Sequence, residues 1–194
     1  VNRVFVVKGM GVAVTGAVIA GHVKVGDTLV LSRTGQAVKV RSIHAQNTPT
    51  ESAGVGSRCG IVLTGLELGD VERGDWLLSP ALQTLTSRID CQLTMPVDSS
   101  RSLKDGELVL LHHGTAYVSA RLILLDASEL IPGQRVLAQC VLSQGLPFCW
   151  NDRLILRDGS ARHTLAGAKV LDTEPPVRGR KRADRALELK ALAT

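Results

Sequence analysis

The chain has 194 residues, 44% hydrophobic and 21% charged, with 19 Gly but only two Phe, two Trp and one Tyr. This composition excludes disordered, collagen-like and coiled-coil classes and allows one large domain or two small ones, each with a core of Val, Leu, Ile and Ala. The net charge of +5 sits mainly in residues 178–194, where six bases (Arg178, Arg180, Lys181, Arg182, Arg185, Lys190) face two acids (Asp184, Glu188), so the body is nearly neutral and its net charge gives no argument for nucleic acid.

In chain order the pattern is β nearly throughout, because apolar residues recur at short range and turn signals fall regularly between them. The first set of expected strands is Arg3–Lys8, Val12–Ala20, Thr28–Ser32, Ala37–Ala45, Cys59–Thr64 and Trp76–Leu78. Glycine-bearing turns such as Gly9-Met10-Gly11, Val25-Gly26-Asp27 and Arg73-Gly74-Asp75 separate them. Ser79-Pro80-Ala81 breaks the pattern, and a second set follows: Arg88–Thr94, Glu107–His112, Ala116–Leu125, Arg135–Leu142, Arg153–Arg157 and Ala166–Leu171. Two sets of six short strands joined at residues 79–87 predict an all-β chain of two consecutive small antiparallel barrels, since closure removes unpaired edges. No crossover helix is expected, which argues against a doubly wound α/β fold.

The tail differs. Pro175-Pro176 ends the second set, Arg178–Arg182 reads as a solvated basic linker, and Ala183–Ala193 is composed of good helix formers. Ala183, Leu187 and Ala191 at i+4 spacing predict its apolar stripe. The expected boundaries are therefore 1–85, 86–175 and 176–194, with the last short helix opening a further domain.

Cys59, Cys91, Cys140 and Cys149 have no CxxC spacing, and Cys59, Cys140 and Cys149 sit in apolar runs. Buried, reduced thiols and a cytoplasmic setting are expected, with no metal site. No run approaches the ~20 apolar residues of a membrane span and no signal-peptide pattern opens the chain, so no membrane partner is expected. Val at position 1 is read as the mark of a piece of a longer protein. Gly9, Gly11 and Gly16 fail the dinucleotide fingerprint, because Val14 stands where its second spacing needs Gly and no helix follows. There is no GxxxxGK[ST] phosphate loop and no GxSxG elbow, so no catalytic residue is assigned and the chain by itself is not expected to be an enzyme.

Arg3 and Arg58 each stand at the edge of an apolar strand. They read either as exposed strand-end arginines or as a paired cationic site that grips an anion with two guanidinium forks. His112-His113 ends a strand and reads equally as structural or as RNA-facing.

The run Val1-Asn-Arg-Val-Phe-Val-Val-Lys-Gly-Met-Gly-Val-Ala-Val-Thr-Gly16 resembles the opening of the second domain of translational GTPases, and Val23–Val30 continues the likeness. Lys39–Asn47, Gly56-Ser-Arg58, Arg73–Leu78, His112–Thr115, Asn151–Asp158 and Ser160–Val170 narrow it to the bacterial selenocysteine-specific elongation factors (SelB). The likeness spans essentially the whole chain, and the order and spacing of the motifs carry it.

The resemblance implies a domain II and a domain III, each a β-barrel, followed by the start of a winged-helix region that binds the selenocysteine insertion hairpin of the mRNA. It implies selenocysteyl-tRNA and the ribosome as partners, at recoded UGA codons. GTP and Mg²⁺ would belong to a G domain of the parent protein, leaving no cofactor in these residues. By the same resemblance Asn2, Arg3 and Arg58 occupy the aminoacyl pocket and Phe5 walls it, with Asn2 in place of the family's usual Asp. Arg121, Arg157, Arg162, His163 and Lys169, with His112 and His113, become candidate contacts to the tRNA backbone. The rival readings are the barrel pair of another translational or sulfate-activating GTPase, and a non-enzymatic protein-docking module.

Overall fold

Val and Leu at every second position drive the first part of the chain into sheet, as alternation requires. The computed structural model describes residues 1–82 and 84–193. Gln83, inside the expected junction 79–87, and Thr194, the end of the expected tail, lie outside the described residues. Two compact units emerge, one from Val1 to Thr84 and the other from Leu85 through the C-terminal helix.

The first unit contains β1 (Arg3–Val7), β2 (Gly11–Ala17), β3 (His22–Lys24), β4 (Thr28–Leu31), β5 (Ala37–Ala45), β6 (Thr48–Thr50), β7 (Ser52–Gly54), β8 (Arg58–Thr64) and β9 (Leu77–Leu78). Its main antiparallel sheet runs β1-β2-β8-β5-β4-β9, with β6 on β5 and a separate β3–β7 ribbon. Val12 and Val14 of β2, Val38 and Val40 of β5, and Cys59, Ile61 and Leu63 of β8 form the core. The hydrogen-bonded path does not close on itself. Instead the ribbon lays Val23 and Ala53 into the same core, so the first of the two expected barrels is completed by a second small sheet.

The second unit contains β10 (Thr86–Thr94), β11 (Leu103–Lys104), β12 (Leu108–His113), β13 (Ala116–Leu124), β14 (Glu129–Leu130), β15 (Arg135–Leu146), β16 (Arg153–Arg157), β17 (Thr164–Asp172) and α1 (Ala183–Ala193). Here the sheet closes as a six-stranded antiparallel barrel, β10-β15-β13-β12-β16-β17. Ile89, Cys91, Leu93, Leu111, Leu122, Ala138, Cys140, Leu154, Leu156 and Val170 fill it. Small Ala residues at inward positions let a narrow barrel close without overpacking.

Two expectations change. Helix α1 does not bury Ala183, Leu187 and Ala191; Leu187 is 69% exposed, while Leu189 is fully buried against Leu125, Leu137 and Leu171. The cause is long-range: Arg185, one turn earlier, is drawn onto acidic side chains of the barrel wall, and this fixes which face docks. Of the cysteines, Cys59, Cys91 and Cys140 are buried but Cys149 is exposed. It lies in the turn after β15, where Asn151 takes a left-handed φ of 70° and turns the chain back. Among the described residues no helix is long and apolar enough to cross a membrane.

That turn is pinned from inside. Asp152 accepts the Cys149 N–H at 2.7 Å and lies 3.2 Å from the Nε2 of His113. His113 is only 6% exposed and stacks on Phe148 with ring centroids 4.9 Å apart. Burial would raise the Asp152 carboxyl, but the hydrogen bonds from His113 and Cys149 outweigh it and hold it below the ordinary range. A depressed carboxyl stabilises the fold above its unfolded pKa of about 4 and loses that contribution as pH falls through the lower folded value. Asp152→Asn is therefore expected to lower stability by about 1 kcal/mol at pH 7. In urea unfolding, the gap between variant and wild type should narrow below about pH 4.

Candidate functional site

On β1, β2 and β8 the residues that do not enter the core share the opposite, outer face of the sheet. Arg3, Phe5 and Val7 lie beside Thr15, Ala13 and Gly11 of β2, and Thr15, Ala13 and Ala17 in turn lie beside Gly60, Val62 and Arg58 of β8. His44 of β5 sits beside Gly60 and extends the row. These positions form an open cleft of about 700 Å³. Its floor is Ala13, Thr15, Gly60 and Val62. Phe5, Val7 and Met10 wall one side, and His44, Gln46 and Asn47 wall the other.

Local chemistry shapes both walls. Gln46 (φ 51°) and Asn47 (φ 64°) are both left-handed, as a two-residue turn of matching twist requires, and they fold β6 back on β5. On the other side the Arg41 Nη1 donates to the Met10 carbonyl at 2.9 Å and holds that turn against the sheet. A Cβ on Gly60 would touch only Thr15 Cγ2, at 3.9 Å, so the missing side chain leaves the floor open without strain. The Thr15 hydroxyl is buried there and, among the described residues, has no hydrogen-bond partner.

Arg58 lines one end of the cleft. Arg3 does not line the cleft; it stands on the same face of the sheet toward the same end, two strands over and two residues along. This places their backbones about 10 Å apart across the sheet and about 7 Å along it, within reach of two extended side chains for one shared anion. Both are exposed, and among the described residues neither guanidinium has a hydrogen-bond or ion-pair partner. Asn2 precedes β1 and donates its backbone N–H to the Thr15 carbonyl at 2.7 Å; its side chain makes no hydrogen bond to either arginine. Reading the sequence had not singled out Thr15, His44, Gln46, Asn47 or Gly60. Period-two counting from Arg58 would have flagged Gly60, but the turn residues become neighbours only through strand pairing.

The second barrel divides its candidates. His112, Arg121 and Arg157 lie on an outer face formed by β16, β12 and β13, with Leu108, Leu110, Tyr117, Ser119, Arg153 and Ile155. None of these residues is acidic. His112 stacks on Tyr117 at 5.5 Å, and burial together with the nearby Arg157 charge lowers its pKa, favouring the neutral ring at pH 7. The His112 Nε2 and the Arg157 Nε are buried without partners. Four candidates are placed differently. His113 is interior, as described above. Lys169 donates its Nζ to the Ala193 carbonyl at 2.8 Å and caps the end of α1. Arg162 and His163 belong to a loop organised by Asp158, which accepts both of their backbone N–H groups (2.8 and 3.0 Å) and the Ser160 hydroxyl (2.6 Å).

Residues 90–177 match the family model described as selenocysteine-specific elongation factor, beta-barrel domain, and residues 11–78 match elongation factor Tu domain 2. The chain belongs to the selenocysteine-specific elongation factor family. It is 38% identical over 194 residues to the selenocysteine-specific elongation factor of Escherichia coli (strain K12), covering 100% of this chain and 30% of that protein. It is 37% identical to that of Haemophilus influenzae, with 93% and 29% covered, and 33% identical to that of Desulfomicrobium baculatum, with 100% and 30% covered. The chain thus spans about 30% of the length of these relatives. It corresponds to the β-barrel region of a translation elongation factor.

Backbone N–H of His163, then the Ser160 hydroxyl and the His163 ring, hold the Asp158 carboxyl far below its ordinary value. Its ordering of the loop is therefore present above the unfolded carboxylate pKa and is lost only as pH falls well below it. Asp158→Ala is expected to abolish slow amide exchange at Arg162 and His163 while the barrel amides keep theirs, read by NMR at pH 6.

Proposed function

We propose that the first unit holds the aminoacyl end of selenocysteyl-tRNA in this cleft, with Arg3 and Arg58 reading the selenolate. The observation that supports the reading is a partnerless guanidinium, Arg58, lining one end of an open, largely apolar cleft, with the partnerless Arg3 on the same face of the sheet beyond it. A selenol is ionised at neutral pH, a serine hydroxyl is not, and a free thiol titrates at about 8.5. Two fixed cations beside a low-dielectric floor favour the anion and give the neutral seryl side chain nothing to neutralise. The buried Thr15 hydroxyl supplies a hydrogen bond for a polar atom near the attachment point. Phe5 supplies an apolar wall that excludes water, and Asn2 supports the pocket through its backbone.

The exposed face of the second barrel, cationic and free of carboxylates, suits the phosphates of the same RNA through Arg121, Arg153 and Arg157. Tyr117 on His112 offers a stacked platform beside them. Loading on the ribosome, hairpin recognition and the GTP and Mg²⁺ chemistry would belong to the whole protein, outside these two units.

Truncating one partner of a desolvated charge pair costs roughly 2–5 kcal/mol. The exposure of both arginines puts the expectation at the lower end. In the whole factor, Arg3→Ala or Arg58→Ala should weaken selenocysteyl-tRNA binding by about 10- to 100-fold, with a change of less than about threefold for seryl-tRNA. Equal losses for both tRNAs would contradict selenolate reading and leave general RNA binding. Gly60→Val should leave urea stability within about 1 kcal/mol yet fill the floor and weaken both charged tRNAs. Unchanged binding of both would show that the cleft is not the aminoacyl site.

A further inference from the structure

The basic segment that the sequence presents as a solvated linker is engaged at two of its bases. Arg180 donates to the Gln139 side-chain oxygen at 3.1 Å, and Lys181 donates to Asp105 at 2.8 Å. Next comes Arg185, whose side chain is 10% exposed. Its Nε and Nη2 both donate to Oδ2 of Asp90, at 3.2 and 2.7 Å, and its Nη2 also bonds Asp172. Its Nη1 donates to Glu188 at 2.7 Å. Asp90 is fully buried, and its second oxygen accepts the side-chain N–H of Gln139, itself fully buried, at 2.9 Å. Gln139 also reaches the Pro176 carbonyl at 3.3 Å. Leu189 then fills the apolar site of Leu125, Leu137 and Leu171, and Lys169 holds the last turn.

The residues that receive the helix are outward positions of β10, β15 and β17: Asp90, Leu137, Gln139, Leu171 and Asp172. Asp90 is a buried acid on an outer barrel face, beside a second acid in register with it, and within the barrel wall its hydrogen-bond partner is the neutral Gln139. Burial pushes the Asp90 carboxyl up against the opposing hydrogen bonds of Arg185 and Gln139. The cation that meets its charge comes from 95 residues away. An isolated eleven-residue helix is marginal in water, so order in α1 has to come from this docking.

We propose that residues 178–193 form a strap fastened to the second barrel by a buried charge latch, Arg185 against Asp90 and Asp172, which fixes the position and direction of α1. The helix is a structural part of this unit, and the basic run leads into the latch. Removing the cation leaves an uncompensated buried acid, which favours releasing the strap so that water reaches Asp90.

The test is amide hydrogen exchange of the 194-residue chain, read by mass spectrometry on peptides from 183–193 and from β10, β15 and β17. In the wild type the helix should be protected about 100-fold over an unstructured peptide. Arg185→Ala should cut that protection at least about tenfold and leave the strands protected. Arg182→Ala, which removes an exposed base whose side chain pairs, among the described residues, only with Asp184, should change neither. Unprotected wild-type helix amides, an Arg185→Ala helix that stays protected, or equal loosening by Arg182→Ala would each overturn the latch. Should Arg185→Ala also unfold the barrel, Arg185→Met with Asp90→Asn removes the cation together with the buried acid. The strands must then regain protection while the helix does not, and a helix that also regains it would refute the proposal.

Discussion

Strand register across β1, β2 and β8 is the constraint on which the candidate site depends. Antiparallel pairing of Arg3 with Thr15 and of Thr15 with Gly60, and the strict alternation of faces, leave Arg3, Arg58, Phe5 and Gly60 no choice but to share one surface. A slip of one residue would send both arginines into the core. Val12, Val14, Cys59, Ile61 and Leu63 forbid that slip, because each would have to leave the interior in exchange. Ordinary hydrophobic burial on one side of the sheet thus holds two charges from distant points of the chain beside one cleft on the other.

The second barrel uses its outer surface in two ways. Over β10, β15 and β17, the outward Asp90, Leu137, Gln139, Leu171 and Asp172 receive the C-terminal segment, which covers them with Arg180, Arg185 and Leu189. Over β16, β12 and β13 the outward side chains are basic, aromatic, aliphatic or hydroxyl-bearing, with no carboxylate among them. A buried donor on Arg157 and a buried ring nitrogen on His112 lack partners there. Unsatisfied buried polar atoms cost about 1–3 kcal/mol each, so a surface that keeps two of them gains from a partner able to supply hydrogen bonds.

Much of this was legible in the sequence. All twelve expected strands exist, most within two residues of their expected ends, because Val- and Leu-rich alternation and glycine turns are local signals. The short strands β3, β6, β7, β11 and β14 were not foreseen, since two or three residues carry no periodicity and exist only through pairing with distant segments. The docked face of α1 misled for the same reason. By spacing, Ala183, Leu187 and Ala191 make as good a stripe as Arg185 and Leu189, and only Asp90 and the leucines of the barrel wall decide between them. Of the cleft's lining, Phe5 and Arg58 were visible through family likeness, and the opposite wall from His44 to Asn47 had to come from the fold. His113 and Lys169 show the limit of counting bases, for one is interior and the other caps a helix.

If the cleft reads an anion, its selectivity must follow ionisation of the side chain and not its size. Cysteinyl-tRNA tests this directly, because its thiol titrates near pH 8.5. The affinity of the whole factor for cysteinyl-tRNA, measured from pH 6.5 to 9, should rise at least about tenfold as thiolate forms, with seryl-tRNA flat over the same range. The rise should vanish when Arg3 and Arg58 are both replaced by Ala. A cysteinyl profile as flat as the seryl one in the wild-type factor would contradict the account.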